Sequence, residues 1–396
     1  MTVHGWDFLV RKDDLRAHEV RQVALDPQLA DRELALRVEA FALTTNTMTY
    51  AVTGDSLGYW RFYPADDGWG RIPAWGYAQV VASAHPEIAV GERLFGYVPM
   101  SSHARMLATK VQPGALPGSL IDASPHRRSL PPAYNFYRRL GTALVPLTDD
   151  EALRAVLDPL FFTSFLIDDL IAERGWDCGD AIVITSASSK TAIGTAFLLH
   201  ARRPTARIVG LTSPRNRGFV EQLGLYDEVV EYAQLAEPGE PSAREPAARV
   251  AARFPGDRIS VIDFAGDAAP IARLSAALGP RLGHVLHVGA THAGAGGSLT
   301  LPAATSPREA NPREANPREA GPREGFFAPS RIADRAKHWG PAELEARHDA
   351  AWTRFLPFAR STIRLERITG PDALGALYDE LATRGLSPDR GCFIQP

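Results

Sequence analysis

Cysteine is almost absent from this chain of 396 residues, which contains only Cys178 and Cys392. Two cysteines can build neither the disulfide framework of a small secreted protein nor a zinc site with four thiolates. This scarcity fits a reducing compartment, and we predict a cytoplasmic protein.

Long apolar runs and an excess of charge of one sign are also missing. No run of about 18 apolar residues occurs, and residues 1–16 carry no long apolar stretch behind their charges, so we expect neither a membrane span nor export. The net charge is −3 and the pI is near 6.4. Because no overall basic field attracts a polyanion, we expect no nucleic-acid partner.

Lysine is scarce as well, which makes Lys190 conspicuous within residues 181–200, AIVITSASSKTAIGTAFLLH. A β-branched run, a short polar stretch and an apolar segment at helical spacing predict a strand, a loop and a helix. A strand that enters a helix through a tight loop directs backbone N–H groups and the positive end of the helix dipole at one point, where a phosphate binds. The segment therefore predicts a nucleotide site.

Glycine is rare in this loop, where only Gly194 remains of the glycines that a dinucleotide fingerprint uses. Ser188, Ser189, Lys190 and Thr191 replace them, and we predict that their hydroxyl and ammonium groups bind phosphate oxygens. The alternative is a turn without a cofactor, in which Ser and Thr cap the helix. The Gly-x4-Gly-Lys spacing of a P-loop is absent.

The pattern of predicted elements changes near residue 150. The earlier part has short β-like runs interrupted by Gly and Pro, such as LALRVEAFAL and YAQVVASA. From Asp149 a long helical pattern is followed by strands that alternate with helices, in AIVITS, ARIVGLTS, ISVIDFAG and GHVLHVGA. This alternation predicts an α/β fold with a doubly wound parallel sheet beside a β-rich domain.

The order of these features resembles the medium-chain dehydrogenase/reductase superfamily, in particular its zinc-free quinone-oxidoreductase-like branch. NTMTYAVTG, residues 46–54, is similar to the Asn-x-x-Asp segment of that branch, with Thr49 in place of Asp. GLTSPRNRGFVEQLGLYDEVVEY resembles its second strand, the following helix and the next strand. SASSKTAIG is two residues longer than the usual Gly-Ala-x-Gly-Gly-Val-Gly turn. Within the superfamily, the chain is similar to the bacterial group called domain of unknown function 2855.

The resemblance spans nearly the whole chain and implies two domains. One is a GroES-like β-rich substrate domain at 1–150, completed by about 361–396, and the other is a Rossmann nucleotide-binding domain at 151–360. The Rossmann domain carries an insertion at 302–325, which we expect to be disordered because its Pro-Arg-Glu repeats have no apolar face. Since the cofactor domains of the resembling enzymes pair through an edge strand, a homodimer is also implied.

The end of the second predicted strand, LTSPRNRG, bears on the cofactor. An NAD site usually has Asp or Glu there to bind the ribose 2′-hydroxyl, whereas Arg accommodates a 2′-phosphate. Ser213, Arg215 and Arg217 suit a 2′-phosphate, and we predict NADP(H). The alternative is a solvated turn with two surface arginines.

Two later strands end in DFAGD and HVGATH. Ligands bind beyond the carboxyl ends of the strands in a doubly wound sheet, so we expect Asp263, Gly289 and Thr291 to line the nicotinamide pocket. Ordinary turn chemistry is the alternative, because Gly and Asp are common at strand ends.

No metal site is predicted. Zinc-dependent members of the superfamily use a Cys and a Gly-His-Glu segment, whereas the corresponding residues 75–77 read WGY here. His284, His287 and His292 have no cysteine or spaced carboxylate with them, and we interpret them as loop and strand-edge residues.

Hydride transfer without a metal requires orientation and a donor for the developing oxyanion. Tyr50 lies in a segment that faces the cofactor in the resembling enzymes, and we predict that it is the donor, with Asn46 positioning the substrate oxygen. Tyr134, Asn135 and Tyr137 form a second candidate group at the substrate pocket. Packing with local hydroxyl bonds is the alternative for both groups.

The sequence thus predicts a zinc-independent, NADPH-dependent oxidoreductase that transfers hydride to an activated C=C or C=O of a small apolar substrate. The alternative is a catalytically inactive protein that binds a nucleotide or small molecule on the same fold, which the glycine-poor loop and Thr49 permit. A structural assembly protein would need neither the loop nor the pocket.

Overall fold

The computed structural model describes residues 3–26, 28–110, 119–142, 146–202, 204–235, 254, 256–288 and 323–396. Contacts divide the chain into two compact units, unit 1 with Met1–Pro159 and Ile332–Pro396, and unit 2 with Leu160–Arg331. The predicted domain boundaries near residues 150 and 360 stay a prediction. No helix within the described ranges is long and apolar enough to cross a membrane.

The strands, in chain order, are β1 (Val3–Arg11), β2 (His18–Leu25), β3 (Glu33–Leu43), β4 (Trp69–Arg71), β5 (Pro73–Ser83), β6 (Arg93–Pro99), β7 (His103–Lys110), β8 (Ser119–Asp122), β9 (Phe136–Gly141), β10 (Ala181–Ile184), β11 (Arg207–Thr212), β12 (Glu228–Glu231), β13 (Ile259–Asp263), β14 (Leu282–His287), β15 (Arg323–Gly325), β16 (Arg364–Thr369) and β17 (Arg390–Gln395).

The α-helices of the described residues are α1 (Thr45–Val52), α2 (Asp149–Arg174), α3 (Lys190–Arg202), α4 (Arg217–Gln222), α5 (Ala268–Leu278), α6 (Ala328–Trp339), α7 (Pro341–Thr362) and α8 (Pro371–Arg384). Helix α2 begins with a capping box. The Thr148 backbone N–H donates to the Glu151 carboxylate at 2.9 Å, and the Glu151 N–H donates to Thr148 Oγ1 at 3.2 Å.

Unit 1 is built around a β-barrel. One sheet has the order β16-β17-β3-β5-β6-β9-β8-β7, and β7 also pairs antiparallel with β3, which closes the ring from β3 to β7. Closure leaves no free edge among those six strands. A smaller sheet has the order β2-β1-β4. The β-rich first part that the sequence predicts is confirmed.

Unit 2 contains a parallel sheet with the order β12-β11-β10-β13-β14-β15. In terms of the order along the chain this is 3-2-1-4-5-6, the arrangement of a dinucleotide-binding Rossmann sheet. β10 and β13 are buried at every position, because a parallel sheet covered on both faces needs continuous apolar strands. The predicted doubly wound fold is confirmed.

The predicted repeat insertion falls mostly on residues 302–322, which lie outside the described residues. Its last three residues differ from the expected disorder, because Arg323–Gly325 form β15 and pair with β14. The backbone hydrogen bonds of a sheet edge are open to any sequence that is not Pro, so the polar composition of the repeat does not prevent pairing.

Candidate functional site

The strand order of unit 2 reverses between β10 and β13, so the loops that follow these strands diverge at the carboxyl edge of the sheet. Ligands of doubly wound proteins bind at this edge. The relevant segments are the β10–α3 loop, residues 185–189, and the turn from Asp263 to Gly266 after β13.

Three backbone N–H groups of the β10–α3 loop are bound within unit 2. The Ser186 N–H donates to the Tyr232 hydroxyl at 2.6 Å, the Ala187 N–H donates to the Leu211 carbonyl at 2.9 Å, and the Ser189 N–H donates to the Ser186 carbonyl at 2.7 Å. A glycine-rich turn would direct such groups at a pyrophosphate. These three donors are not available for that role in this conformation.

The side chains of the loop also have partners. Ser188 Oγ accepts a hydrogen bond from Asn216 Nδ2 at 2.9 Å, and Ser189 Oγ accepts one from the Ala192 N–H at 3.3 Å. Ser189 therefore caps α3, which is the alternative interpretation of this segment. Lys190 and Thr191 form the first turn of α3 and are partly buried.

Two buried hydroxyl groups at the same edge lack a well-aligned hydrogen bond within the described structure, although the Ser186 side chain also lies close to the Tyr232 hydroxyl. They are Ser186 Oγ after β10, in a residue that is 6% exposed, and Thr212 Oγ1 at the end of β11, in a residue that is 1% exposed. Leaving a buried hydroxyl unsatisfied costs roughly 1–3 kcal/mol. Both lie at the ends of adjacent parallel strands, so they fit a polar ligand such as the ribose and phosphate oxygens of a nucleotide.

Ser186 adopts a left-handed backbone conformation with φ of 47°. Glycine is the residue that takes this conformation without strain. Serine here retains the turn of a glycine loop at an energetic cost, and it places a hydroxyl where glycine would have none.

Gly194 serves helix packing. A Cβ atom at this position would lie 2.6 Å from Ser164 Oγ, and Ser164 Oγ donates to the Thr191 carbonyl at 2.7 Å. The missing side chain thus allows α2 and α3 to approach each other closely, and the predicted phosphate contact at Gly194 has no support in this geometry.

The candidate 2′-phosphate residues follow β11. Ser213 precedes a short turn over Pro214–Asn216, and Arg215 is exposed within it. The Arg217 guanidinium lies 2.8 Å from the carboxylate of Glu221 and 3.4 Å from that of Glu231. Two carboxylates therefore compete with any phosphate for Arg217, and Arg215 is the more exposed of the two arginines.

Asp263 is buried and organises the turn after β13. Its Oδ1 accepts hydrogen bonds from the Thr185 hydroxyl at 2.7 Å, the Ala265 N–H at 3.0 Å and the Gly266 N–H at 3.3 Å. Its Oδ2 lies 3.2 Å from His287 Nδ1. Asp263 joins the two loops of the switch point, whereas Gly289 and Thr291 lie outside the described residues.

Unit 1 contains a tyrosine cluster, in which the rings of Tyr50, Tyr59, Tyr97, Tyr134 and Trp75 pack together. Ring centroids are 4.7 Å apart for Tyr50 and Tyr59, 5.3 Å for Tyr50 and Tyr97, and 4.8 Å for Tyr97 and Tyr134. Tyr50 comes from α1, Trp75 from β5 and Tyr97 from β6. The cluster therefore gathers phenol groups from several elements.

The Tyr50 hydroxyl accepts a hydrogen bond from Trp75 Nε1 at 3.1 Å. Burial raises the pKa of Tyr50 above its ordinary value, and the neighbouring Tyr59 adds to this, while bonds from Trp75 and Asn46 act in the opposite direction. Tyr50 is therefore protonated at neutral pH. Its oxygen is held by Trp75, which leaves its proton for donation.

The Tyr97 hydroxyl is buried and lacks a well-aligned hydrogen bond among the described residues, although it lies close enough to Tyr50 to lower the pKa of that phenol, and its ring contacts Tyr50, Trp75 and Tyr134. Burial raises the pKa of Tyr97 well above its ordinary value. The Tyr59 and Tyr134 hydroxyls bond to each other at 2.9 Å. Tyr97 thus carries a second protonated phenol beside Tyr50.

Asn135 and Tyr137 belong to a different group, the Arg127 network. Arg127 is 1% exposed, its Nε lies 3.0 Å from Asp122 Oδ2, and its Nη1 donates to the Tyr137 hydroxyl at 3.3 Å and to Asn135 Oδ1 at 3.5 Å. The Tyr137 hydroxyl also bonds to Tyr63 at 3.0 Å. The predicted second group is therefore divided, because only Tyr134 contacts Tyr50.

Several residues of these two regions are not predicted from the sequence. Trp75 lies at the position of the zinc-binding segment in the resembling enzymes, and its role towards Tyr50 depends on a contact between β5 and α1. Tyr232 and Thr185 act through partners that are 46 and 78 residues away. Among the described residues, no group of three or more His, Cys, Asp or Glu side chains could hold a metal ion.

Solved structures with a similar fold include oxidoreductases. CurA from Vibrio vulnificus in complex with NADPH is 14% identical, with a TM-score of 0.54 and 94% of each chain covered. A quinone oxidoreductase from Pseudomonas syringae pv. Tomato DC3000 is 16% identical, with a TM-score of 0.56, 99% of this chain and 100% of that chain covered. The yhdH oxidoreductase from Salmonella enterica in complex with NADP is 16% identical, with a TM-score of 0.50 and both chains fully covered. At these identities the similarity shows a common fold, and it confirms the predicted Rossmann and GroES-like architecture.

None of the curated proteins matches the chain in sequence. Residues 41–387 match the model of a family described as "Protein of unknown function (DUF2855)". This match covers most of the chain and agrees with the family to which the sequence is similar. The protein therefore belongs to the DUF2855 family.

Proposed function

We propose that this protein is an NADP(H)-dependent oxidoreductase that works without zinc and reduces an activated C=C or C=O of a small apolar substrate. The observation that carries the proposal is the 3-2-1-4-5-6 parallel sheet with two buried, unsatisfied hydroxyls, Ser186 Oγ and Thr212 Oγ1, at adjacent strand ends. Similar folds that hold NADPH in CurA and NADP in yhdH support the choice of cofactor.

The nucleotide would be held by side chains more than by backbone groups. Ser186 and Thr212 offer hydroxyls, Lys190 lies in the first turn of α3, and Arg215 is exposed after β11. The dipole of the 13-residue helix α3 adds a favourable field for phosphate. Bound NADPH supplies the hydride. The residues of this chain bind and orient the nucleotide and stabilise the charge that develops on the substrate.

Tyr50 is the proposed donor for that charge. Its oxygen accepts from Trp75 Nε1, and Asn46 lowers the pKa of the phenol against the effect of burial. A fixed donor stabilises a developing oxyanion without reorganisation during the reaction. Tyr97, with its unsatisfied hydroxyl, is the candidate for a second donor. Trp75→Phe replaces the indole with a smaller aromatic ring that has no N–H, and we expect it to lower turnover less than loss of the Tyr50 hydroxyl does.

The first experiment is titration of the purified protein with NADPH and with NADH by calorimetry. We expect NADPH to bind more tightly, because a 2′-phosphate gains from Arg215. Tighter binding of NADH, or binding of neither nucleotide, would contradict the proposed cofactor. Oxidation of NADPH during a screen of quinones, enones and aldehydes then tests for turnover.

A protein that binds a nucleotide without turnover is the second candidate. Two observations favour it: three loop N–H groups already have partners, and Arg217 is paired with Glu221 and Glu231. Nucleotide binding without oxidation by any compound in the screen would support this candidate. We also propose that the protein is a homodimer, which size-exclusion chromatography with light scattering tests. We propose a cytoplasmic location as well, which fractionation of cells tests.

A further inference from the structure

Asp263 and His287 form a pair at the carboxyl ends of two adjacent strands. Asp263 ends β13 and His287 ends β14, and the Asp263 carboxylate lies 3.2 Å from His287 Nδ1. The Asp263 side chain is 2% exposed, whereas that of His287 is 31% exposed. One member of the pair is thus fixed in the interior and the other reaches the surface.

The surroundings of Asp263 determine how the His287 ring is used. Asp263 Oδ1 accepts from the Thr185 hydroxyl and from the N–H groups of Ala265 and Gly266, so the carboxylate cannot rotate freely. A carboxylate only accepts hydrogen bonds, and Nδ1 of His287 must therefore carry the proton in this pair. Nε2 of the neutral ring then presents a lone pair, and protonation converts it into a donor with positive charge.

We propose that His287 contacts the nicotinamide half of a bound NADP(H), and that its protonation sets the preference for the reduced over the oxidised nucleotide. This inference rests on the proposed function. A Rossmann sheet has two mononucleotide-binding halves. The β10–α3 loop belongs to the first half, and His287 lies in the second half, beyond the switch point.

The sign follows from charge. The nicotinamide ring of NADP⁺ is cationic and that of NADPH is neutral, so a protonated His287 nearby repels only the oxidised form. The neutral ring accepts a hydrogen bond from a carboxamide or a ribose hydroxyl of either form. Lowering the pH therefore weakens NADP⁺ relative to NADPH.

Other charged groups around the pair contribute a constant background. Tyr232 lies near Asp263, and burial raises the pKa of this phenol, which keeps it neutral. Glu324 on β15 and Arg174 lie 3.3 Å from each other and act on His284. Asp263 is the group in direct contact with the His287 ring.

The test measures the dissociation constants of NADP⁺ and NADPH by calorimetry at several pH values between about 5 and 8. For the unmodified protein we expect the ratio of the NADP⁺ to the NADPH constant to rise about fivefold from the upper to the lower end, as a moderate Coulomb repulsion requires. His287→Gln and His287→Asn should make this ratio independent of pH. The NMR signals of the His287 ring, followed without nucleotide and with each form, should shift when either form binds.

His284→Gln is the matched control, because His284 is on the same strand but stacks on Trp176 with ring centroids 4.6 Å apart. It should retain the pH-dependent ratio, and melting curves identify a variant that is not folded. If both nucleotides bind but the ratio in His287→Gln still changes with pH as in the unmodified protein, the role of His287 is overturned and the proposed function stands. If neither nucleotide binds to the unmodified protein, both are overturned.

Discussion

The β10–α3 loop in unit 2 and the tyrosine cluster in unit 1 both keep polar groups in buried surroundings, but they are assembled differently. The loop is a single stretch of chain, residues 185–189, whose donors and hydroxyls are mostly tied to nearby backbone and to Tyr232 and Asn216. The cluster takes its phenols from α1, β6 and the turns beside them, and Trp75 holds Tyr50 in place. Yet among the described residues each unit retains buried hydroxyls that lack a well-aligned hydrogen bond: Ser186 and Thr212 in unit 2, and Tyr97 in unit 1.

The two regions differ in whether the residues proposed to bind a ligand are the same residues that stabilise the fold. In the loop, the serines that were expected to bind phosphate also cap α3 and hold the turn, so binding and folding depend on the same atoms. In unit 1 stability and the proposed chemistry depend on different residues. The Arg127 network contains the buried ion pair, and the tyrosine cluster contains the candidate proton donor.

The largest effect is expected for Arg127→Met in unit 1. The guanidinium and the Asp122 carboxylate are each 1% exposed, and removal of one partner leaves a buried charge uncompensated. We expect a loss of about 3–5 kcal/mol in the free energy of unfolding, measured with urea. Arg11→Met, which removes an exposed pair with Asp13 and a contact with the Trp69 ring, should cost much less. Equal costs for the two variants would show that the Arg127 network does not stabilise unit 1.

Tyr50→Phe removes the proposed donor while the ring stays in the tyrosine cluster. Loss of one oxyanion donor typically lowers kcat by roughly 10²–10³-fold, and we expect a loss of that order in NADPH oxidation on a substrate found in the screen. Tyr378→Phe is the control, because that hydroxyl donates to the Leu15 carbonyl instead. Unchanged turnover of Tyr50→Phe would exclude Tyr50 as donor.

Gly194→Ala tests whether this glycine serves packing or binding. The added Cβ would lie 2.6 Å from Ser164 Oγ, so α2 and α3 must separate, at a cost of about 1–3 kcal/mol in thermal or urea unfolding. Gly218→Ala, on α4 with nothing within 4 Å of the added atom, should instead stabilise by up to about 1 kcal/mol. A Gly194→Ala protein of unchanged stability that no longer binds NADPH would support the predicted phosphate role of Gly194.

Ser186→Gly is the smallest and most specific change. Glycine removes the left-handed strain at φ 47° and the unsatisfied hydroxyl, so we expect a gain of about 0.5–1 kcal/mol without nucleotide. The same change should weaken NADPH binding several-fold, because a ligand contact is lost. Ser188→Gly should destabilise, since Ser188 accepts from Asn216 in the present fold. If Ser186→Gly strengthened NADPH binding, the side-chain mode of holding phosphate would be wrong.

The elements of the fold were largely predictable from local pattern. The helical spacing after Asp149 corresponds to α2, and the apolar runs AIVI and ISVID are β10 and β13. The site was less predictable. Tyr134 and Tyr137 are three residues apart and share a motif, yet one joins the tyrosine cluster and the other the Arg127 network, because a short turn ends at Asn135 and a strand begins at Phe136.

Sequence alone established the architecture of this protein, because strand and helix periodicity and the alternation of elements are properties of neighbouring residues. The sequence also indicated that serines, lysine and threonine replace the glycines of a dinucleotide-binding loop in the segment after β10. Tertiary contacts determine which polar groups already have a hydrogen-bond partner. The Tyr232 hydroxyl accepts from the Ser186 N–H, and the Glu231 carboxylate accepts from the Arg217 guanidinium. The partners in such bonds are tens of residues apart or on different elements, so only the folded chain reveals that Ser186, Thr212 and Tyr97 carry buried hydroxyls without a well-aligned hydrogen bond among the described residues.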